Sequence, residues 1–211
     1  TWDFGDGQTS TEANPSHTYT TTGNFTVRLR VQTASNCEHI STITDYIKIG
    51  TFSAGLQIDD NTVCRGTSAQ FTDASSAGVV LRTWDFGDGS PTSNVPNPTH
   101  TFTTAGTYTV SIQSQNSAGC SDTETQDITI YDLPTPTFTE SATTACAVPF
   151  AVNFTNTTAN TTSVSWNFGD GGTSTQLTPS HTYNVLGNYN ITLQVTDNNG
   201  CSVSGNDSIL N

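Results

Sequence analysis

Trp84-Asp85-Phe86-Gly87-Asp88-Gly89 is the stretch on which the fold turns, because the chain writes it three times. It recurs as Trp2-Asp3-Phe4-Gly5-Asp6-Gly7 and as Trp166-Asn167-Phe168-Gly169-Asp170-Gly171. The three tryptophans stand 82 residues apart at both steps. His17, His100 and His181 keep pace at intervals of 83 and 81, as do Gly23, Gly106 and Gly187, which places a one-residue insertion between Gly89 and Asn97 of the middle copy. A fixed period of this length describes an array of small units and overrides the one or two domains that length alone suggests.

The hexapeptide has a physical reading. Arg82-Thr83-Trp84-Asp85-Phe86 alternates, with Trp84 and Phe86 on one face and Asp85 on the other, as in a strand that delivers two aromatic rings to one side. Gly87-Asp88-Gly89 then turns the chain, since glycine adopts positive φ without steric cost and Asp can bind nearby backbone amides. The clearest strand follows the later glycine: Gly106-Thr107-Tyr108-Thr109-Val110-Ser111-Ile112 alternates apolar and hydroxyl side chains. Its copies carry Phe25, Val27, Leu29 and Val31, and Tyr189, Ile191, Leu193 and Val195, the pattern of a half-buried antiparallel strand. Early strands are expected at Ala69–Asp73 and Val152–Asn156, and closing strands at 45–49, 127–130 and 207–210.

Helical periodicity is absent, so the expected class is all-β, with one sandwich per unit in a linear array. The boundaries expected are 1–50 for the C-terminal part of a first repeat, 51–133 for a complete repeat and 134–211 for a third. Leu133-Pro134-Thr135-Pro136 makes the second junction semi-rigid.

The five cysteines follow the same period. Cys37, Cys120 and Cys201 share one phase, and Cys64 and Cys146 another. Small units are often stapled, and the spacing predicts Cys64–Cys120 and Cys146–Cys201 within their own repeats, with Cys37 unpaired within these residues. A disulfide framework implies an oxidising, extracytoplasmic compartment. Eighteen acidic residues against five basic ones give a net charge of −13, which excludes an electrostatic grip on nucleic acid or on an anionic membrane. No apolar run approaches the roughly 20 residues of a membrane span.

Trp-Asp-Phe-Gly-Asp-Gly, then His-Thr-Tyr/Phe (His17, His100, His181), then Gly-x-Tyr-x-Val resembles the signature of the polycystic kidney disease (PKD) domain, and all three copies carry it. The resemblance implies an immunoglobulin-like sandwich of seven or eight strands, used as a spacer in extracellular proteins, and some members bind calcium; no catalytic motif is present and no other cofactor is expected. The cysteine-bearing form, with Cys64 early and Asn116-Ser117-Ala118-Gly119-Cys120 at a late hairpin, resembles repeats of large Bacteroidota surface proteins such as gliding-motility adhesins exported by type IX secretion. It implies a stalk or adhesive segment at the cell surface, partnered by neighbouring repeats and by surface polysaccharide or other surface proteins. A polysaccharide- or protein-binding module, or an accessory region of a secreted hydrolase, is the alternative. The third copy departs from the pattern at Asn167, which puts a carboxylate role at that position in doubt.

Trp84, Phe86, Gly87, Asp88, Gly89, His100, Gly106 and Tyr108 are read as the structural motif of the unit. The histidines recur beside the same Thr-aromatic pair, as packing or hydrogen-bonding groups do, whereas catalytic constellations are singular. Asp85 and Asp88, with Asp59 and Asp60, are candidate hard-oxygen ligands for Ca²⁺, against the commoner reading as turn-stabilising aspartates.

Overall fold

In a computed structural model the chain is all-β, described over residues 1–210, with side chains described through Asp207. It divides into two compact units, Thr1–Ser53 and Ala54–Asn211.

The first unit is one antiparallel sheet. Strands β1 (Trp2–Asp3), β2 (Thr9–Ser10), β3 (Gly23–Gln32) and β4 (Glu38–Ile49) lie in the order β2-β1-β3-β4. Its apolar face carries Trp2, Phe4, Val27 and Tyr46 and borders an open cleft of about 380 Å³.

The second unit holds two sandwiches. The middle repeat is built from β5 (Leu56–Ile58), β6 (Thr62–Cys64), β7 (Ser68–Asp73), β8 (Val79–Asp85), β9 (Thr99–Thr101), β10 (Gly106–Asn116) and β11 (Ser121–Tyr131). A four-stranded sheet, β6-β11-β10-β8, faces a three-stranded one, β5-β7-β9. The third repeat comprises β12 (Phe138–Glu140), β13 (Phe150–Asn156), β14 (Thr161–Asn167), β15 (Thr173–Ser174), β16 (Ser180–Tyr183), β17 (Asn188–Asp197) and β18 (Ser202–Leu210). Its sheets are β15-β14-β17-β18 and β12-β13-β16.

The period-two pattern explains the layering. Val110, Ile112 and Ser114 of β10 point inward, and Val110 and Ile112 are fully buried against Phe71, Trp84 and Ile128. Ile191, Leu193 and Val195 do the same around Trp166 and Phe154. Trp84 and Trp166 have no exposed surface, whereas Trp2 of the single-sheet unit is only half-buried. The long hairpins β10–β11 and β17–β18 run in unbroken register, Gly106 opposite Ile130 and Gln115 opposite Ser121 in the middle repeat.

The cysteine pairing differs from the spacing-based expectation. Cys64 is bonded to Cys201, with Cα atoms 5.6 Å apart, and Cys37, Cys120 and Cys146 are free and exposed. The reason lies in the topology. Strand β6 runs parallel to the end of β11, so Cys64 sits opposite Tyr131. Cys120 lies at the other end of β11, in the hairpin tip before Ser121. Eleven residues of extended strand separate the two ends by roughly 35 Å, far beyond the reach of a disulfide. Cys201 occupies the corresponding tip of the third repeat, between β17 and β18. That tip meets the Cys64 end of the middle repeat, so neither Cys64–Cys120 nor Cys146–Cys201 forms, and the bond crosses from one repeat to the next.

Candidate functional site

The turn of the hexapeptide and the His-Thr-aromatic stretch meet at one place in every repeat. In the middle repeat, β8 buries Phe86, Gly87-Asp88-Gly89 reverses the chain, and β9 returns His100 onto the same face. The His100 ring lies flat on Phe86, centroids 4.1 Å apart and planes 4° from parallel. Phe102 meets His100 edge-on at 4.7 Å and stacks in turn on Tyr108. The same arrangement joins Phe4 to His17 at 4.0 Å and Phe168 to His181 at 4.3 Å.

Each histidine is tied to the second aspartate of the hexapeptide. His17 Nε2 to Asp6 Oδ2, His100 Nε2 to Asp88 Oδ2 and His181 Nε2 to Asp170 Oδ2 all measure 2.7 Å. An ionised carboxylate only accepts, so Nε2 carries the proton and donates. The other carboxylate oxygen accepts a backbone amide two residues on, from Gln8, Ser90 and Gly172 respectively. Burial pushes the Asp88 pKa upward. The His100 hydrogen bond, the Ser90 amide and the His100 charge outweigh it and lower the pKa from 3.8 to about 2. Asp6 and Asp170 are lowered against the same upward push of burial, chiefly by His17 and His181.

The first acidic position closes the turn. Asp3 and Asp85 accept the amides of Gly5 and Gly87, and Asn167 accepts that of Gly169 through its amide oxygen, each at 2.9 Å. A carbonyl oxygen suffices there, so the Asn of the third copy keeps the turn intact. Gly87 is required twice over. Its φ is +75°, and an added Cβ would stand 2.5 Å from the Thr109 carbonyl oxygen. Above the turn, the Tyr19 and Tyr183 hydroxyls donate to the Phe4 and Phe168 carbonyls at 2.9 and 3.1 Å. Phe102 has no hydroxyl to do so. Burial, then the charges of Asp170 and Tyr189, raise the Tyr183 pKa.

The Asp6, Asp88 and Asp170 carboxylates and the three histidine Nε2 groups are thereby committed to partners inside the fold, whereas the Ser90 hydroxyl is buried without one. The calcium candidates are likewise dispersed. Asp85 and Asp88 are spent on the turn and on His100, and Asp60 accepts the amide and hydroxyl of Thr62. Asp59 lies beside it, between β5 and β6. Among the described residues no group of three or more His, Cys, Asp or Glu side chains gathers as a metal site. Trp84 and Trp166 are inside, their Nε1 groups donating to Val95 and Gln176 carbonyls, so neither offers a platform to a sugar. No helix among the described residues is long and apolar enough to cross a membrane.

Sequence reasoning passed over two features. The Asp88–His100 pairing was visible only as two residues recurring in step, 12 positions apart in the middle copy. The junction between repeats was also missed. There Cys64 and Cys201 are joined, Arg65 pairs with Asp132 at 3.1 Å, and the Arg65 amide donates to Tyr131. The signal available was that Cys201, like Cys120, falls at a hairpin tip.

The sequence profile of the PKD domain matches residues 1–49, 53–130 and 132–209. A microbial collagenase of Vibrio alginolyticus is 40% identical over 58 residues, 28% of this chain and 7% of the collagenase. Human polycystin-1 is 32% identical over 114 residues, 52% of this chain and 3% of polycystin-1. The chain thus spans a small fraction of the length of these relatives. A solved PKD domain of the Vibrio cholerae metalloprotease PrtV is 32% identical, covers 37% of this chain and 95% of that domain, and superposes with a TM-score of 0.32.

Proposed function

This chain belongs to the PKD-domain family, and from that membership we propose that it is a stalk segment of an extracellular surface protein, holding other parts of that protein at a distance. PKD domains are non-catalytic immunoglobulin-like modules, and this reading applies to the 211 residues rather than to any longer protein containing them. The observation that carries it is the covalent tie between successive repeats, Cys64 to Cys201. A bond that joins one sandwich to the next stiffens the link between them, as suits a spacer. The acidic surface fits an extended, self-repelling segment. The Cys64–Cys201 bond supports an oxidising location.

The finer assignment is to an adhesive filament of the gliding-motility kind, engaging surface polysaccharide or other surface proteins. It is supported by the likeness of the cysteine-bearing repeats alone. The test is antibody labelling of intact cells combined with excision of the 54–211 stretch. Labelling without permeabilisation, and a shorter surface projection that retains its binding, are expected. Labelling only after lysis overturns the surface location. A glycan or protein ligand bound by these residues themselves, and lost on excision, favours the binding-module reading.

A further inference from the structure

The three hairpin tips are the same device. In the third repeat the Asp197 amide donates to the Cys201 carbonyl at 3.0 Å, and the Gly200 amide to the Asp197 carbonyl at 3.2 Å. The middle repeat repeats both bonds, Asn116 to Cys120 at 3.0 Å and Gly119 to Asn116 at 3.0 Å. The first does so with Thr33 to Cys37 at 2.9 Å and Asn36 to Thr33 at 3.0 Å. In each tip the leading side chain also accepts the cysteine amide: Asp197 Oδ1, Asn116 Oδ1 and Thr33 Oγ1. The residue before each cysteine has positive φ, Asn36 at 62°, Gly119 at 84° and Gly200 at 81°. Three different sequences converge on one turn whose common product is a cysteine held in one orientation.

Only one of these cysteines is covered. Cys201 has no exposed surface, because the Cys64 end of the preceding repeat sits on it, whereas Cys37 and Cys120 are exposed in the same turn. On the receiving side, Cys146 stands 82 residues after Cys64, in the same phase of the next repeat, and is exposed.

We infer that Cys64–Cys201 is one rung of a covalent ladder, and that Cys146, Cys120 and Cys37 are half-joints whose partners are the complementary cysteines of adjoining PKD repeats. The early cysteine of each repeat bonds the tip cysteine of the next. The separation in the observed rung is 137 residues. At that spacing the partner of Cys146 stands beyond Asn211, and those of Cys120 and Cys37 stand before Thr1. All five cysteines then have one chemistry. The inference rests on reading the chain as part of a longer array.

Closing a rung is a two-electron oxidation, and a small-molecule disulfide such as glutathione disulfide supplies the oxidant. The Cys146 thiolate attacks one of its sulfurs, forming a mixed disulfide and releasing one glutathione thiolate. The tip-cysteine thiolate then attacks the protein sulfur, closing the rung and releasing the second glutathione. Two protein thiols lose two protons and two electrons, and one disulfide becomes two thiols.

Two experiments test this. The first is non-reducing peptide mapping of the full natural chain after thiol blocking. Cys146 is expected joined to a tip cysteine 137 positions on, and Cys120 to one 137 positions earlier. A blocked Cys146 or Cys120 flanked by further repeats, or a bond to a cysteine of its own repeat, overturns the ladder. The second uses the 211-residue chain extended by another copy of residues 134–211 and oxidised with glutathione disulfide. Bonding of Cys146 to the tip cysteine of the added copy is expected, and a Cys146 that still takes the blocking reagent sinks the idea. The second experiment needs no natural neighbours. A natural chain without flanking repeats would therefore undo the array reading, while the extended chain still judges the joint.

Discussion

His100 lies on the face of Phe86 and donates its Nε2–H to the Asp88 carboxylate, so one imidazole fastens the turn of the hexapeptide to the core beneath it. The neighbouring strand is held down without any covalent bond inside the repeat.

Replacing that ring should therefore loosen the whole turn. His100→Ala removes an aromatic stack and a charge-assisted hydrogen bond and leaves Asp88 half-partnered. The cost should be about 2–4 kcal/mol. Hydrogen exchange resolved by repeat should show β8 and β10 amides of the middle sandwich losing protection while the third sandwich keeps its own. Equal protection in mutant and parent would contradict the role assigned to the ring.

The aspartate of the pair makes the fold acid-sensitive in a defined window. Asp88 has a folded pKa of about 2 against an ordinary 3.8. A depressed folded pKa contributes stability above the unfolded value, and that contribution drains away as pH falls from about 4 toward 2. Asp6 and Asp170 shift in the same direction. Circular dichroism melts should show the melting temperature dropping across that interval. Asp88→Asn should start lower at neutral pH and flatten the middle repeat's share of the drop.

The middle repeat lacks a bond that its neighbours have. Tyr19 and Tyr183 cap the carbonyls of Phe4 and Phe168, and Phe102 leaves that of Phe86 without this donor. Phe102→Tyr should gain about 0.5–1.5 kcal/mol, read as a higher denaturant midpoint. A loss instead of a gain would mean that the middle core has no room for the oxygen.

Two glycines of one turn separate strain from collision. Gly87 and Gly89 both have positive φ, but a Cβ on Gly87 meets the Thr109 backbone while one on Gly89 meets nothing within 4 Å. Gly89→Ala should cost about 1–2 kcal/mol for the backbone conformation alone. Gly87→Ala should cost more, and similar losses at the two positions would remove the steric argument.

The tryptophans grade burial in the same motif. Trp84→Ala empties a fully enclosed site and should cost about 3–5 kcal/mol. Trp2→Ala, at a half-buried ring, should cost clearly less when each unit's own unfolding is followed.

Much of this architecture could be read from residues alone, for a local reason. Alternation at Tyr108-Val110-Ile112 and the double glycine around Asp88 are short-range signals, and they yielded the strands, the turn and the buried Trp84. Asn167 was readable as a departure, but its harmlessness was not, because that depends on which oxygen the Gly169 amide meets. The cysteines failed for a topological reason. Spacing in sequence cannot say that β6 runs parallel to β11, and that one pairing puts Cys64 a full strand length from Cys120. Proximity in sequence likewise said nothing of what each carboxylate binds within the fold, Asp88 to His100 and Asp60 to Thr62.

The bond between Cys64 and Cys201 also decides how the molecule meets a pulling force. Tension entering at Cys64 leaves at Cys201 through two sulfur atoms, and the 137 residues of separation between them are taken out of the load path. Roughly 480 Å of contour length is thereby locked away while the bond stands. Reduction would return the folded sandwiches to the load path, where that length becomes available only as they unfold, so the redox state of one cystine sets whether this stretch can lengthen under tension.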